Sequence, residues 1–348
     1  MKENFIYQKI EEALCEENTN SALSLLKKVK QRDGYYFYYL GEIKRIEGLF
    51  KESYKNYLIA LKKINKEDEI YSKILLRLAS LSRSNGRIEE AKRYLDILIK
   101  NGWRNKDILL EQAMYLRMKG EFKRSLYYLF KLEKIYRKEK DFQGIAYIYW
   151  ACGGIFRLQG HFKKGIHFFK RGIKYAKKAN DRSLLLYLKF ALAGILRIYG
   201  KPHQSLKEYK SCAKLIDRND FFSKGYYYCG IANALRQLGK LEQSIYNYKK
   251  SYYYYKKTGD FLDLGLVVWG MGNSYLKKEE IKRAKKLFLK AKKLFRLGFE
   301  PRGEILNLIS LSQVYYLKGD IKKAKKLYYD AIRKAKKYKL NTYLEVFT

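Results

Sequence analysis

The chain has 348 residues, 47% of them hydrophobic, and carries 75 Lys plus Arg against 35 Asp plus Glu, a formal net charge of +40. That much apolar material builds a packed core, the two prolines argue against a linker-rich architecture, and the sequence contains no apolar run long enough to span a membrane. A surface this basic selects anionic partners (nucleic acid, anionic lipid heads or acidic protein segments), unless the abundance of Lys, Ile and Tyr simply reflects an AT-rich genome.

The start, Met1 to Leu14, alternates charged with apolar residues and lacks the apolar run of a signal peptide, which predicts a cytoplasmic protein. Cys15, Cys152, Cys212 and Cys229 have no paired or metal-ligand spacing and fall in helical patterns, as buried free thiols in a reducing compartment do. A degenerate first repeat ends in Asn20-Ser21-Ala22. One pattern then recurs along the chain: a turn glycine, an apolar residue two positions on, and Ser, Ala or Gly five positions on. It reads Gly48-Leu-Phe50-Lys-Glu-Ser53, Gly86-Arg-Ile88-Glu-Glu-Ala91 and Gly120-Glu-Phe122-Lys-Arg-Ser125. It continues as Gly160-His-Phe162-Lys-Lys-Gly165, Gly200-Lys-Pro202-His-Gln-Ser205 and Gly239-Lys-Leu241-Glu-Gln-Ser244. Glu279 to Ala284 and Gly319 to Ala324 complete it, with Glu279 in place of the glycine. Successive turns from Gly48 are 38, 34, 40, 40, 39, 40 and 40 residues apart.

Each unit predicts two amphipathic helices joined at that turn. Glycine suits the turn because a helix end commonly needs a left-handed residue, and the small residue five on lets the second helix approach the first. Apolar and small residues before the turn keep helical spacing, as in Tyr149, Cys152, Gly153 and Phe156, and those after it do the same, as in Ile166, Phe169 and Ile173. Two-residue alternation is absent, so the fold class is all-α, and repetition makes it a solenoid of about eight to nine helix-turn-helix hairpins. The polar stretch Lys100-Asn-Gly-Trp-Arg-Asn-Lys106 precedes the shortest repeat. It reads as a bent connection at 100–106 inside one domain spanning 1–348.

Two repeats carry a family resemblance. Gly270-Met-Gly-Asn-Ser-Tyr275-Leu-Lys-Lys-Glu-Glu-Ile281-Lys-Arg-Ala284 and Ser310-Leu-Ser-Gln-Val-Tyr315-Tyr-Leu-Lys-Gly319-Asp-Ile321-Lys-Lys-Ala324 resemble the tetratricopeptide (TPR) consensus almost position for position. The repeat length near 40 residues resembles the long-repeat branch found in cell-polarity adaptors and bacterial peptide-sensing regulators. The resemblance implies a right-handed superhelix whose first helices line a concave groove, and a role in binding peptide segments. The family's clamp for acidic tails uses lysines and asparagines at set groove positions, and this chain departs from it, with aromatic or aliphatic residues ten before the turn.

Three residues before the turn stand Arg45, Arg83, Arg117, Arg157, Arg197 and Arg236, then Leu276 and Tyr316. With 20 arginines against 55 lysines, chance would place fewer than one arginine in those eight positions. Positions 13, 10, 6 and 3 before the turn form one helical stripe, set apart from the packing stripe at 14, 11, 7 and 4. In the resembling family that stripe faces the groove, where neighbouring first helices lie roughly 10 Å apart. The same stripe holds Tyr147, Tyr187 and Tyr226, then Trp150, Phe190 and Trp269, then Gly154, Gly194, Asn233 and Asn273. Aromatics, a gap at glycine and an arginine fork suited to carboxylate or phosphate describe a binding pocket, with the asparagines available to peptide backbone. Three structural readings stand beside it: arginines complementing helix dipoles, arginines tying one hairpin to the next, and a duplicated feature without present use.

No phosphate loop, nucleophile elbow or zinc motif occurs, and His161, His167 and His203 lack metal-ligand spacing, so neither enzyme chemistry nor a cofactor or metal is expected. Lysine runs such as Lys282 to Lys286 and Lys322 to Lys326 read as solvated faces of second helices. The leading expectation is a protein–protein interaction scaffold that holds an acidic, extended segment on the arginine row. The alternative is a single-stranded nucleic-acid binder in the same groove, with Trp150, Phe190 and Trp269 stacking bases. Self-association, or occupation of the groove by the chain's own Asn341 to Thr348, is a third, and membrane insertion is not expected.

Overall fold

The computed structural model describes residues 2–16, 18–218, 220–298 and 301–338, with side chains from residue 5 onward. The segment Asn341 to Thr348, named above as a groove occupant, lies outside them. Among the described residues there are eighteen α-helices in consecutive packed pairs and no strand. They fall into two compact units, Met1–Leu132 and Glu133–Thr348. Unit 1 contains α1 (Lys2–Cys15), α2 (Thr19–Leu26), α3 (Gly34–Ile46), α4 (Phe50–Lys63), α5 (Glu69–Ser84), α6 (Ile88–Lys100) and α7 (Lys106–Met118). The unit boundary falls inside α8 (Phe122–Lys138). Unit 2 continues with α9 (Phe142–Leu158), α10 (Phe162–Lys178), α11 (Arg182–Ile198), α12 (Pro202–Ser211) and α13 (Phe221–Gln237). It ends with α14 (Leu241–Thr258), α15 (Phe261–Lys277), α16 (Ile281–Leu297), α17 (Pro301–Leu317) and α18 (Ile321–Lys337).

Local chemistry fixes where these helices start and stop. Seven of the first helices open on an acidic or amide side chain, Asp33, Asp68, Asn105, Asp141, Asp181, Asp220 and Asp260, whose oxygen accepts a backbone N–H of the first turn. Each such cap is worth about 1 kcal/mol. Both prolines, Pro202 and Pro301, occupy the first helical position, where a missing N–H costs nothing. The predicted turn residues all sit in the left-handed region, from Gly239 at φ 73° to Gly319 at φ 82°, and Glu279 adopts the same conformation at φ 62°. At Gly160 the turn closes by Gly160 N–H donating to the Arg157 carbonyl and His161 N–H to the Phe156 carbonyl. The connection at 101–105 is built alike, with Gly102 at φ 78° and Asn105 capping α7, and it lies within unit 1.

Within a hairpin the helices cross at the small residue five past the turn. Ser53 Oγ donates to the Gly41 carbonyl at 2.9 Å, Ser125 to Ala113 at 2.7 Å and Ser244 to Ala232 at 2.8 Å. In the last hairpin the direction reverses, and Ser312 donates to the Ala324 carbonyl at 2.8 Å. Four residues further on stands a large apolar side chain: Tyr57, Leu95, Leu129, Phe169, Tyr209, Tyr248 and Phe288, each at most 3% exposed. Gly41, Gly153 and Gly272 make room for Tyr57, Phe169 and Phe288, and a Cβ at any of the three would lie within 3 Å of the ring. Burying one such side chain stabilises by roughly 1.5–3 kcal/mol, which makes this column the spine of each core.

The thiols divide differently from the sequence expectation. Cys152 and Cys212 are buried and Cys229 half-buried, but Cys15 is exposed because it ends α1. Burial pushes the Cys212 and Cys229 thiols up to about 12. No described helix is long and apolar enough to cross a membrane.

The turn geometry makes a clean test. A Cβ at Gly160 or Gly200 would meet nothing within 4 Å, so only backbone strain opposes a side chain there. Gly160→Ala is expected to lower stability by about 1–2 kcal/mol, and Glu279→Gly to raise it by up to ~1 kcal/mol, both read from urea denaturation midpoints. Equal midpoints for wild type and Gly160→Ala would mean the turn tolerates the right-handed conformation.

Candidate functional site

Two arginines of the column, Arg45 and Arg83, meet carboxylates within unit 1. In unit 1, Glu42 lies on α3 three residues before Arg45 and is almost fully buried. It accepts from Arg45 Nη2 at 2.8 Å, from Arg77 Nε of α5 at 2.7 Å and from the Tyr57 hydroxyl at 2.5 Å. Burial alone would raise the Glu42 carboxyl, but Arg77 and Arg45 outweigh it and hold the group down at about 2. Arg83, itself buried, grips Glu111 of α7 with Nε at 2.5 Å and Nη2 at 3.1 Å. Arg83 is therefore a tie between the first helices of two successive hairpins, one of the structural roles open at the sequence level. Arg117 is half-buried in the last turn of α7.

Unit 2 presents a different environment. Arg157, Arg197 and Arg236 end α9, α11 and α13, and none of them pairs with a carboxylate among the described residues. Tyrosine and asparagine side chains surround them, and Asp263 of α15 acts on the same Tyr226 that Arg157 and Arg197 act on. A Cβ at Gly194 would stand 3.8 Å from Arg157 Nη1 and 3.6 Å from the Tyr209 hydroxyl, ordinary contact distances that place Gly194 of α11 beside the Arg157 guanidinium. Arg236 lies over the Trp269 ring at 5.6 Å and reaches Asn233 Oδ1 at 3.5 Å, and that oxygen also accepts from the Tyr248 hydroxyl at 2.7 Å. The Nε atoms of Arg157 and Arg236 are buried without an acceptor. Burial, reinforced by the like charge of Arg236, lowers the Arg197 guanidinium below its ordinary value, although the Tyr209 hydroxyl acts the other way. Tyr209 and Tyr226 both feel Arg157 and Arg197 electrostatically, which places the two guanidinium groups around one tyrosine cluster.

The stripe's aromatic residues differ in access. Tyr187 is exposed at 40%, Tyr147, Trp150 and Tyr226 are half-buried, and Phe190 and Trp269 are buried at 1% and 7%. Phe190 packs on Tyr226 with ring centres 4.9 Å apart, and Tyr147 on Trp150 at 5.4 Å. Trp269 donates its ring N–H to Ser310 of α17 at 2.9 Å, a tie to the next first helix. Asn273 donates to the Trp269 carbonyl at 2.9 Å, and Gly154 is buried in α9. Tyr209 and Tyr248, which wall the arginine cluster, were not singled out from the sequence. They stand nine past their own turns, on second helices, and the repeat-aligned column of large residues at that position is the signal that locates them.

An all-α array of paired helices, left-handed turns at fixed intervals and small residues at each hairpin crossing define a tetratricopeptide-type helical-repeat fold. The chain is similar to a Rap protein complexed with Competence and Sporulation Factor, at 10% identity and a TM-score of 0.57, covering 99% of this chain and 94% of that one. It is also similar to the Cut9–Hcn1 hetero-tetramer of the APC/C, at 10% identity and a TM-score of 0.61, covering 91% of this chain but only 59% of that one. Both are TPR-type helical-repeat structures. A BtubC (BKLC) structure from P. vanneervenii matches at 16% identity and a TM-score of 0.48, over 68% of this chain and 93% of that one. No protein-family model and no curated protein sequence matches the chain.

The glutamate network of unit 1 has a pH signature. Because the Glu42 carboxyl falls from its ordinary 4.5 to about 2 on folding, its contribution is complete above pH 4.5 and is lost as pH falls toward 2. The shift corresponds to about 3 kcal/mol. Wild type is expected to lose more stability between pH 5 and pH 2 than Glu42→Gln does, measured by the melting temperature across that range. Parallel pH curves would remove Glu42 as the acid-sensitive group.

Proposed function

We propose that this protein is an interaction scaffold whose unit 2 holds an acidic, extended segment of a partner protein on Arg157, Arg197 and Arg236. The observation that carries the reading is the unbalanced charge. Arg45 and Arg83 meet buried carboxylates inside their own fold, whereas these three arginines cluster among tyrosine and asparagine side chains with two buried Nε donors unused. A buried charge without a counter-charge is costly, and an incoming carboxylate supplies both the charge and the planar acceptor that an arginine fork fits. The Rap structure is a complex with Competence and Sporulation Factor and the Cut9–Hcn1 structure is a hetero-tetramer, which agrees with a scaffold role for this fold.

An extended strand advances about 3.3 Å per residue, so arginines roughly 10 Å apart match acidic residues at every third position. Exposed Tyr187 and half-buried Tyr147, Trp150 and Tyr226 would take the apolar side chains between them. The nucleic-acid alternative for this row loses support from burial, because Phe190 and Trp269 have no open ring face for a base and the Trp269 N–H is committed to Ser310.

Two measurements test the reading. In fluorescence anisotropy, a peptide with Asp or Glu at every third position is expected to bind at least ~10-fold tighter than its shuffled isomer. Arg197→Ala should remove that preference, and equal binding of the two peptides would sink the register. Without ligand, Arg197→Met is expected to leave stability unchanged or raise it by ~1 kcal/mol, because it deletes an uncompensated charge. Arg83→Ala should lower stability by about 3 kcal/mol, because it strands Glu111. A marked destabilisation by Arg197→Met would instead make that residue architectural.

A further inference from the structure

A second basic surface lies on unit 2, built from side chains of α13 and α14 other than those named for the arginine row. It begins with a truncated helix. The second helices α10, α14, α16 and α18 run 17 or 18 residues, but α12 runs only 10 and passes into a short 3₁₀ turn at Ala213–Leu215. Arg182 of α11 fastens that turn by donating to the Lys214 carbonyl at 2.8 Å and the Leu215 carbonyl at 3.2 Å. Beside the shortened helix a cavity of about 410 Å³ opens, walled by Tyr227, Tyr228 and Tyr246 and rimmed by Lys210 and Lys240.

From this cavity an alternating row of rings and ammonium groups runs along α13 and α14. Lys250 Nζ sits 4.6 Å from the Tyr246 ring centre and 5.2 Å from that of Tyr228. Tyr228 stacks on Tyr254 at 5.6 Å with the planes only 2° apart, and Phe221 follows at 6.3 Å. Lys224 lies 5.6 Å from Tyr254, and Lys257 lies 4.6 Å from Phe221 and 4.8 Å from Tyr253. The two helices contain one carboxylate between them, Glu242, and it is paired with Lys278. Their exposed large apolar side chains are Tyr246 at 58% and Tyr253 at 55%.

We propose that this α13–α14 face binds single-stranded nucleic acid. Each lysine meets a phosphate, and the open faces of Tyr246 and Tyr253, with the Tyr227–Tyr228 wall of the cavity, stack bases. From Tyr246 to Lys257 the helix rises roughly 16 Å, the axial length of about five stacked nucleotides. The alternation of ring and cation decides among anionic partners. An acidic peptide would use the lysines and leave the ring row without a role. A lipid surface would call for aliphatic or indole side chains on the open face, and the exposed apolar side chains there are tyrosines alone.

The test is anisotropy of a fluorescein-labelled ten-nucleotide oligouridine with the full chain between 50 and 200 mM salt. Saturable binding is expected, falling roughly 20- to 50-fold across that range for three or four phosphate contacts. The Tyr246→Ala/Tyr253→Ala variant, altered only at exposed rings, should keep its melting temperature and lose at least ~10-fold in affinity. Lys250→Gln with Lys257→Gln should lower both the affinity and the salt slope, and Arg157/Arg197/Arg236→Ala should leave oligouridine binding intact. Three outcomes overturn the proposal: no saturable binding at 50 mM salt, unchanged affinity in a folded tyrosine variant, or binding of phosphatidylserine vesicles lost in that variant while oligouridine does not bind. Because the arginine variant is read separately, failure here is distinguishable from failure of the acidic-peptide reading.

Discussion

Everything else in this molecule hangs on the close crossing of two helices at each hairpin. The crossing requires a small residue on both sides, seven before and five after the turn, and it requires the chain to reverse within three residues. The left-handed turn supplies the reversal, and the serine-to-carbonyl bonds at Ser53, Ser125 and Ser244 fill the seam with a polar contact that tolerates no larger side chain. Once the seam is fixed, the large residue four positions further on is driven into the pocket left by glycine. Tyr57, Phe169 and Phe288 thereby hold their hairpins from within, while the other side of each first helix is set free for a different task.

Much of that frame is legible in the sequence because it is local. A glycine, an apolar residue and a small residue at fixed offsets need no knowledge of distant partners, and the turn conformation follows at every copy, including Glu279 where the glycine is missing. The aspartate caps were equally local. Asp141, Asp181, Asp220 and Asp260 recur nineteen before their turns, and alignment on the helix start would have shown them. What the sequence hides is the fate of each arginine. Arg83 and Arg197 hold the same position in the repeat, yet one ends against Glu111 and the other among tyrosines. The difference lies 28 residues away on another helix, at a position where the repeat pattern places no constraint. Identical column positions therefore carry different chemistry, and only packing sorts them.

The sorting has a physical logic. Arginine at the end of a helix gains from the dipole wherever it stands, so the column is compatible with every hairpin. Whether it then strengthens the fold depends on what the neighbouring first helix offers. Glu111 converts the charge of Arg83 into a bridge between hairpins and Glu42 balances that of Arg45 within α3, whereas Arg157 near Gly194 and Arg236 beside Asn233 meet no carboxylate partner among the described residues. Stored charge is a form of preorganisation: the donors are already desolvated and oriented before an acceptor arrives, which lowers the ordering cost of binding.

The lysines obey the opposite rule. Many of them lie on solvated faces of the second helices, where their charge costs the fold little. An isolated lysine on such a face is weakly informative in a chain with 75 basic residues. Along α13 and α14 the lysines lie against rings, with Tyr246, Lys250, Tyr253 and Lys257 sharing one face of α14 at helical spacing. Tyr228 and Tyr246 line the cavity beside the short α12, and no other second helix lying wholly in unit 2 is shortened in the same way. Within unit 2, then, arginine serves where a charge must be held in place and lysine where it must reach. The two proposed sites thus rest on different chemistry, arginine in one and lysine in the other, and neither draws on the side chains of the other.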